Sequence, residues 1–89
     1  MKVGPDIAMV AGLLGDPARA NMLAALIDGR ALTASELAVE AGVTPQTASS
    51  HLAKLEAGGL VAPTRQGRHR YYRLTGPDVA DVLEALMGL

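Results

Sequence analysis

The chain has 89 residues, which is enough for one small domain with a single hydrophobic core. It has no cysteine, which excludes disulfides and thiolate metal sites, and only two aromatic residues, so its core must be mainly aliphatic. The net charge of −1 is unevenly distributed, because residues 41–77 carry five bases and one acid whereas the other positions carry three bases and eight acids. We therefore expect a local surface that binds anions.

The N-terminal segment shares some features with a secretory signal, because Lys2 precedes an apolar stretch from Ile7 to Leu14. However, Asp6 stands where a basic flank is expected, and the apolar stretch is at the short limit for a signal. No apolar run approaches the roughly 18 residues of a membrane span. We expect a cytoplasmic protein without a membrane segment.

Two short helices are predicted in the first third of the chain. Apolar residues at helical spacing predict the first helix over Ile7 to Leu14, ended by Gly15. Asp16 as a cap, followed by Pro17 at the first helical position, predicts the start of a second helix that ends at Asp28-Gly29. The first helix is apolar around most of its circumference, so another surface must cover it.

A helix-turn-helix unit is predicted next. Thr33-Ala34-Ser35-Glu36 has the form of a capping box, which predicts a helix from about Ala34 to Ala41. Gly42 suits the left-handed conformation of a tight helix stop, and Thr44-Pro45 predicts the start of the following helix. The unit spans about 24 residues, the usual size of this motif.

The second helix of the unit, Pro45 to Glu56, carries a mostly uncharged face with many hydrogen-bonding groups. Such groups suit base edges and phosphates in a major groove, although an isolated polar helix face is more simply interpreted as solvated. The motif spacing, the adjacent basic hairpin and the lack of acids from Ala57 to Pro77 favour DNA. The candidate contact residues are Thr44, Gln46, Thr47, Ser49, Ser50, His51 and Lys54.

An arginine-rich β-hairpin is predicted over Val61 to Leu74, with its turn at Arg65-Gln66-Gly67-Arg68 and its return strand from His69. Its arginines can reach a phosphate backbone or a minor groove. The alternation of residues does not show which face of the return strand is buried. Tyr71 and Tyr72 point to opposite faces, so at most one of them fills the core. The candidate DNA contacts in this hairpin are Arg65, Arg68, Arg70 and Arg73.

A last helix is predicted to open at Gly76-Pro77-Asp78. Together with the first helix it leaves more apolar surface than the rest of the chain can cover, which predicts a homodimer. The expected interface residues are Val10, Leu14, Val82, Leu83 and Leu86. The predicted fold is thus mainly α with a β-hairpin wing, in a single domain over residues 1–89 with dimerisation helices at both ends.

Several segments, in order and in register, resemble the ArsR/SmtB family of bacterial winged helix-turn-helix repressors. They are Leu14-Gly15-Asp16-Pro17-Ala18-Arg19, Glu36-Leu37-Ala38, Val43-Thr44, His51-Leu52, Leu55 to Val61 and Gly67 to Leu74. The resemblance implies a recognition helix at Pro45 to Glu56, a wing at Val61 to Leu74, and a dimer formed by the first and last helices. It also implies repression at a two-fold operator and, where an effector exists, weaker operator binding in its presence. The effector remains unknown.

The resemblance does not extend to the family's metal sites. Ala38 and Glu40 stand where metal-sensing members have two cysteines, and Ala80 stands where others have a histidine two residues after Asp78. Asp78 could join Asp81 and Glu84 in holding a hard cation, but a solvated helix face is the simpler interpretation. We therefore expect no metal or cofactor, and no metal sensing through the usual sites.

The two histidines have different interpretations. His51 can contact a phosphate or a base, or it can pack beside Leu52 and Leu55. His69 is interpreted as a wing residue near phosphate, because no second metal ligand stands at a suitable spacing.

No catalytic residues are predicted, because acids, bases and nucleophiles do not gather in a recognisable motif. Two alternatives stay open: a winged-helix module for protein interaction or assembly, and the DNA-binding domain of a longer regulator. The basic wing favours DNA, because a protein-binding surface does not need four arginines without acids. RNA is less favoured, since exposed aromatic stacking platforms are lacking.

Overall fold

The fold is seen in a computed structural model that describes residues 6–88. The predicted mainly α fold with a β-hairpin wing is confirmed, and one additional short strand precedes the third helix. In the described part of the chain the elements are α1 (Ile7–Leu14), α2 (Pro17–Leu26), β1 (Leu32–Thr33), α3 (Ala34–Ala41), α4 (Pro45–Ala57), β2 (Val61–Gln66), β3 (His69–Leu74) and α5 (Pro77–Met87).

Side-chain caps fix where the first two helices begin. The Asp6 carboxylate accepts hydrogen bonds from the backbone amides of Ala8 and Met9 and so caps α1. Asp16 caps α2 in the same way: its Oδ1 accepts from the amides of Ala18, at 2.8 Å, and Arg19, at 3.2 Å. These caps supply acceptors for amides that have no partner inside the helix.

The predicted helix-turn-helix unit is confirmed. The Thr33 amide donates to Glu36 Oε1 at 2.9 Å, and the Glu36 amide donates to Thr33 Oγ1 at 3.2 Å, which completes the capping box of α3. Gly42 ends that helix with a φ of 68°, a conformation that costs glycine little. Thr44 then caps α4, accepting from the Thr47 amide at 3.1 Å.

The sheet has three antiparallel strands in the order β1-β3-β2. The pairing of Leu32 with Tyr72 adds β1, a strand that was not predicted from the sequence, to the far side of the hairpin. The hairpin turn lies one residue later than predicted, because Gln66 pairs with His69 and only Gly67-Arg68 connects the strands. Gly67 has a φ of 61°, as the first position of a type II′ turn requires.

The core is a single cluster of aliphatic side chains between the helices and one face of the sheet. Tyr72 joins this cluster and is 8% exposed, so the face of β3 that carries Arg70, Tyr72 and Leu74 points inward. Gly58 marks a close approach of α1 to the end of α4, since an added Cβ there would lie 2.6 Å from Leu13 Cδ1. Leu13 of α1 therefore packs against the C-terminal end of α4.

The structure corrects part of the predicted dimer interface. Val10 is 1% exposed and Leu83 is 0% exposed within one protomer, so their assignment to an uncovered surface is wrong. Both belong to the core cluster, while Leu14 and Val82 are half-buried against it. Helical periodicity correctly placed these residues on apolar helix faces. It could not show which of their side chains are buried within the protomer itself. The exposed large apolar residues of α1 and α5 are Ile7, Met9 and Leu86.

Candidate nucleic-acid interface

The outward face of α4 is polar and accessible. Two of its hydroxyl groups are already engaged at the helix start, because Thr44 Oγ1 donates to Thr47 Oγ1 at 3.0 Å in addition to accepting from the Thr47 amide. The other side chains project from the following turns and carry amide, hydroxyl and ammonium groups. The exposed predicted contact residues are Thr44, Gln46, Thr47, Ser49, Ser50 and Lys54.

His51 does not share that exposed face. Its side chain is 15% exposed, and its ring lies against the start of α2. Nδ1 is 3.2 Å from Arg19 Nη1, and Nε2 is 3.7 Å from Asp16 Oδ1. His51 is thus half-buried with polar partners on α2, instead of lying on the exposed face of α4, and a DNA contact by His51 stays a prediction.

The carboxyl group of Asp16 has a lowered pKa. The main cause is the hydrogen bond from the Arg19 backbone amide, assisted by the Ala18 amide and by the positive charges of His51 and Arg19, while burial opposes the shift. A group with a lowered folded pKa stabilises the fold fully above its unfolded pKa of about 3.9, and this contribution disappears as the pH falls through the folded pKa.

We therefore expect the melting temperature to depend on Asp16 in acid. Asp16→Asn keeps an oxygen acceptor for the helix cap but cannot titrate in this range. The advantage of the unmodified chain over this variant should be constant near neutral pH and should shrink as the pH falls below about 4. A constant difference down to about pH 2, measured by circular dichroism, would show that the cap does not depend on the charge.

The wing presents its four arginines to solvent. Arg65 and Arg70 lie directly opposite each other on β2 and β3, an arrangement of like charges that is unfavourable without a counterion. Arg70 contacts α4 through Glu56, with 3.5 Å between Nη2 and Oε1, and its Cζ lies 5.5 Å from the centre of the Tyr72 ring. The wing and the recognition helix thus share one surface at the end of α4.

The outer face of β3 carries a second group of side chains. His69 and Tyr71 meet edge to face with 6.1 Å between ring centres, and Arg73 follows on the same face. Tyr71 is half-buried whereas Tyr72 is buried, which answers the question that sequence alternation left open.

Comparison with known proteins identifies the family. Residues 14–64, more than half of the chain, match the family described as a helix-turn-helix domain. CmtR of Mycobacterium tuberculosis, an HTH-type transcriptional regulator, is 36% identical over 81 residues, a match that covers 91% of this chain and 68% of CmtR. The solved homodimeric winged helix-turn-helix DNA-binding domain of Mb0332 from Mycobacterium bovis, a possible ArsR-family regulator, matches with a TM-score of 0.82 at 33% identity, over 92% of this chain and 75% of that one. This chain belongs to the ArsR/SmtB family of helix-turn-helix transcriptional regulators.

Family members differ in length. The uncharacterized HTH-type transcriptional regulator YdfF of Bacillus subtilis is 48% identical over 85 residues, which are 96% of this ArsR/SmtB chain but 38% of YdfF. The chain therefore spans little more than a third of that relative.

One relative of known structure is described as a metal sensor. The solved structure of CmtR, described as a cadmium metal sensor, has a TM-score of 0.72 at 35% identity, over 92% of this chain and 84% of that one. In the present ArsR/SmtB chain, residues 6–88 contain no group of three histidine, aspartate or glutamate side chains placed to hold a metal ion. Asp78, Asp81 and Glu84 are exposed on α5.

Within residues 6–88, no helix has the length and apolar character needed to span a bilayer.

Two residues of the site were not identified from the sequence as interface residues. Arg19 and Glu56 both contact residues distant in sequence: Arg19 reaches His51, and Glu56 reaches Arg70. No local pattern signals such contacts, because each depends on how helices pack. The signal available in the sequence was that both residues fall within family-like segments, Arg19 in the segment from Leu14 to Arg19 and Glu56 in the segment from Leu55 to Val61.

Proposed function

We propose that this chain binds duplex DNA as a homodimer and represses transcription by occupying a two-fold operator. One observation carries the proposal: the exposed polar face of α4 adjoins a wing with four exposed arginines, joined to it at the contact between Arg70 and Glu56. Gln46, Ser49 and Ser50 are suited to base edges in a major groove, and the wing arginines are suited to the flanking phosphates.

The charges of this surface support an anionic partner. Glu56 is the one acid in the stretch from α4 to the end of β3. The same stretch has five bases, namely Lys54 and the four wing arginines. A protein that neutralises phosphates in this way releases counterions from DNA, so its affinity falls steeply as salt rises. An assembly module for a neutral or basic protein partner has no such requirement.

The apolar surface at the opposite ends of the chain supports a dimer. Ile7, Met9 and Leu86 are 52%, 42% and 44% exposed, so α1 and α5 both leave large apolar side chains uncovered within one protomer. Mb0332, the structural relative, is described as homodimeric. A two-fold pairing through α1 and α5 covers this surface and sets the two recognition helices roughly 34 Å apart, one turn of DNA.

The proposal is tested by titrating labelled duplexes with the chain. The duplexes are one selected by the chain from a random pool and one of mixed sequence. We expect preference for the selected duplex, and an affinity that falls about a thousandfold between about 50 and 200 mM salt. Affinity that does not change with salt, or no duplex selected at all, would contradict DNA binding and favour the protein-interaction alternative.

Glu56 opposes the proposed contact with phosphate. It lies on the DNA-facing surface and occupies Arg70, so a phosphate group must compete with it. We expect Glu56→Gln to raise the affinity for selected and mixed duplexes alike by a few fold, and to steepen the salt dependence. Glu36→Gln on α3 is the matched control and should leave binding unchanged. Weaker binding by Glu56→Gln would mean that Glu56 instead holds Arg70 in its DNA-binding orientation.

We also propose that the chain acts in the cytoplasm without a regulatory metal or other cofactor. Tight zinc or copper sites need about four converging soft or borderline ligands, and the chain offers two histidines and no cysteine. After treatment with a chelator, zinc at about two equivalents per subunit should leave DNA affinity within about twofold. A large and saturable loss of affinity would overturn this part of the proposal.

A further inference from the structure

A polar cluster joins the recognition helix to the turn between α1 and α2. Its members are Asp16 and Arg19 on the α2 side and His51 on α4. The hydrophobic core beneath α4 holds the helix in place but has little directional preference, because apolar contacts tolerate small rotations and shifts. Hydrogen bonds depend on angle as well as distance, so this cluster can define the orientation of α4.

Arg19 makes two contacts with one guanidinium group. Its Nε donates to the carbonyl oxygen of Leu13 at 2.8 Å, and its Nη1 lies 3.2 Å from His51 Nδ1. The Leu13 carbonyl belongs to the last turn of α1, where carbonyl groups have no partner inside the helix. A guanidinium is planar and its N–H groups point in fixed directions. Both bonds together therefore restrict where the end of α1 and His51 on α4 can lie relative to each other.

The contacts also define the hydrogen position on the His51 ring. When the imidazole is neutral, His51 Nδ1 accepts from Arg19, which has only donors, and the ring hydrogen is then carried by Nε2. Nε2 faces Asp16 Oδ1 at 3.7 Å, and that same oxygen caps α2. The cluster thus combines one hydrogen bond, from Arg19 to His51, with an electrostatic contact between the Nε2 side of the ring and Asp16.

The location of the cluster relates the dimer surface to the DNA surface. The same short helix α1 carries exposed Ile7 and Met9 near its start and the Leu13 carbonyl at its end. We propose that Arg19 is a positioning residue that transmits the placement of α1 to the recognition helix through His51, so that dimer contact and α4 orientation are coupled. This inference depends on the proposed DNA-binding function.

The first test compares Arg19→Met with a matched control, Arg30→Met. Arg30 makes the same kind of bond, from Nε to the Ala25 carbonyl at 2.8 Å, but it lies beyond the C-terminal end of α2, where it also faces Asp28 at 3.6 Å and Glu40 at 3.7 Å. We expect Arg19→Met to lower affinity for the selected duplex about tenfold, the scale of one hydrogen bond from a charged donor, and to change mixed-sequence binding much less. Arg30→Met should lose similar thermal stability while its affinity for the selected duplex stays within about twofold.

The second test measures the coupling between Arg19 and His51. In a double-mutant cycle, Arg19→Met should have little further effect on affinity for the selected duplex once His51→Ala is present. His51→Asn retains an acceptor near the position of Nδ1 and should recover part of the lost affinity.

The possible outcomes separate the two proposals. If the unmodified chain selects no duplex, the proposed function fails, and the coupling to DNA fails with it. If the chain selects a duplex but Arg19→Met weakens selected and mixed duplexes equally, or its effect adds fully to that of His51→Ala, only the positioning role is overturned. If His51→Asn recovers none of the affinity lost in His51→Ala, the positioning role is overturned as well.

Discussion

Replacing Arg65, Arg68 and Arg70 together by alanine is expected to weaken binding to every duplex by a similar factor. These arginines are exposed on the wing, and phosphates carry no sequence information, so removing the arginines lowers affinity without changing preference. The slope of log affinity against log salt should become shallower by about one for each phosphate that a subunit no longer neutralises. Fluorescence anisotropy at several salt concentrations measures both quantities.

The control for this triple variant lies on the recognition helix. Gln46→Ala and Ser49→Ala alter exposed groups of α4 and should change the preference among duplexes while leaving the salt slope nearly unchanged. Thr47 is not used for this control, because its amide and hydroxyl take part in the α4 cap. A substitution there would also disturb the start of the helix. If the arginine variant changes preference and the α4 variants change all affinities equally, the roles of wing and helix have been exchanged.

The second large effect is expected from Leu86→Asp. Leu86 is 44% exposed on α5, so a carboxylate there is tolerated in a protomer but becomes buried at the proposed interface. Sedimentation should show a monomer at micromolar concentration, and binding to the selected duplex should fall by about a hundredfold or more, because the two half-sites are then no longer bound by one linked dimer. Circular dichroism should remain that of the unmodified chain.

Two other substitutions separate dimer loss from unfolding. Val39 is 79% exposed on α3, so Val39→Asp places the same charge on an exposed apolar site away from α1 and α5 and should remain dimeric. Leu83 is fully buried in the core, and Leu83→Asp should unfold the chain by burying an unpaired charge. A Leu86→Asp variant that stays dimeric would contradict the proposed interface.

The predictable parts of the fold are those encoded by neighbouring residues. Asp16-Pro17, the Thr33 capping box, Gly42 and Thr44-Pro45 act over one helical turn, and each predicted helix start is where the structure has it. Strand β1 was not predicted because two residues carry no periodicity of their own. They become a strand only by pairing with Tyr71 and Tyr72, far along the chain.

The parts of the site that sequence could not define depend on packing between distant segments. The exposed α4 residues and the wing arginines were identified by composition and motif. His51 was left open because its partners, Asp16 and Arg19, lie on another helix. Val10 and Leu83 were misassigned because periodicity identifies an apolar face, whereas only the packed structure shows how much of it the protomer itself covers.

In the proposed complex, a two-fold dimer contacts base edges with α4 and holds the flanking phosphates with the wing. Hydroxyl-radical footprinting of the selected duplex tests it most directly. We expect two symmetric protected regions with centres about one helical turn, or 10 base pairs, apart, and loss of this pattern in Leu86→Asp. A single protected region of half that extent, unchanged in Leu86→Asp, would contradict the claim.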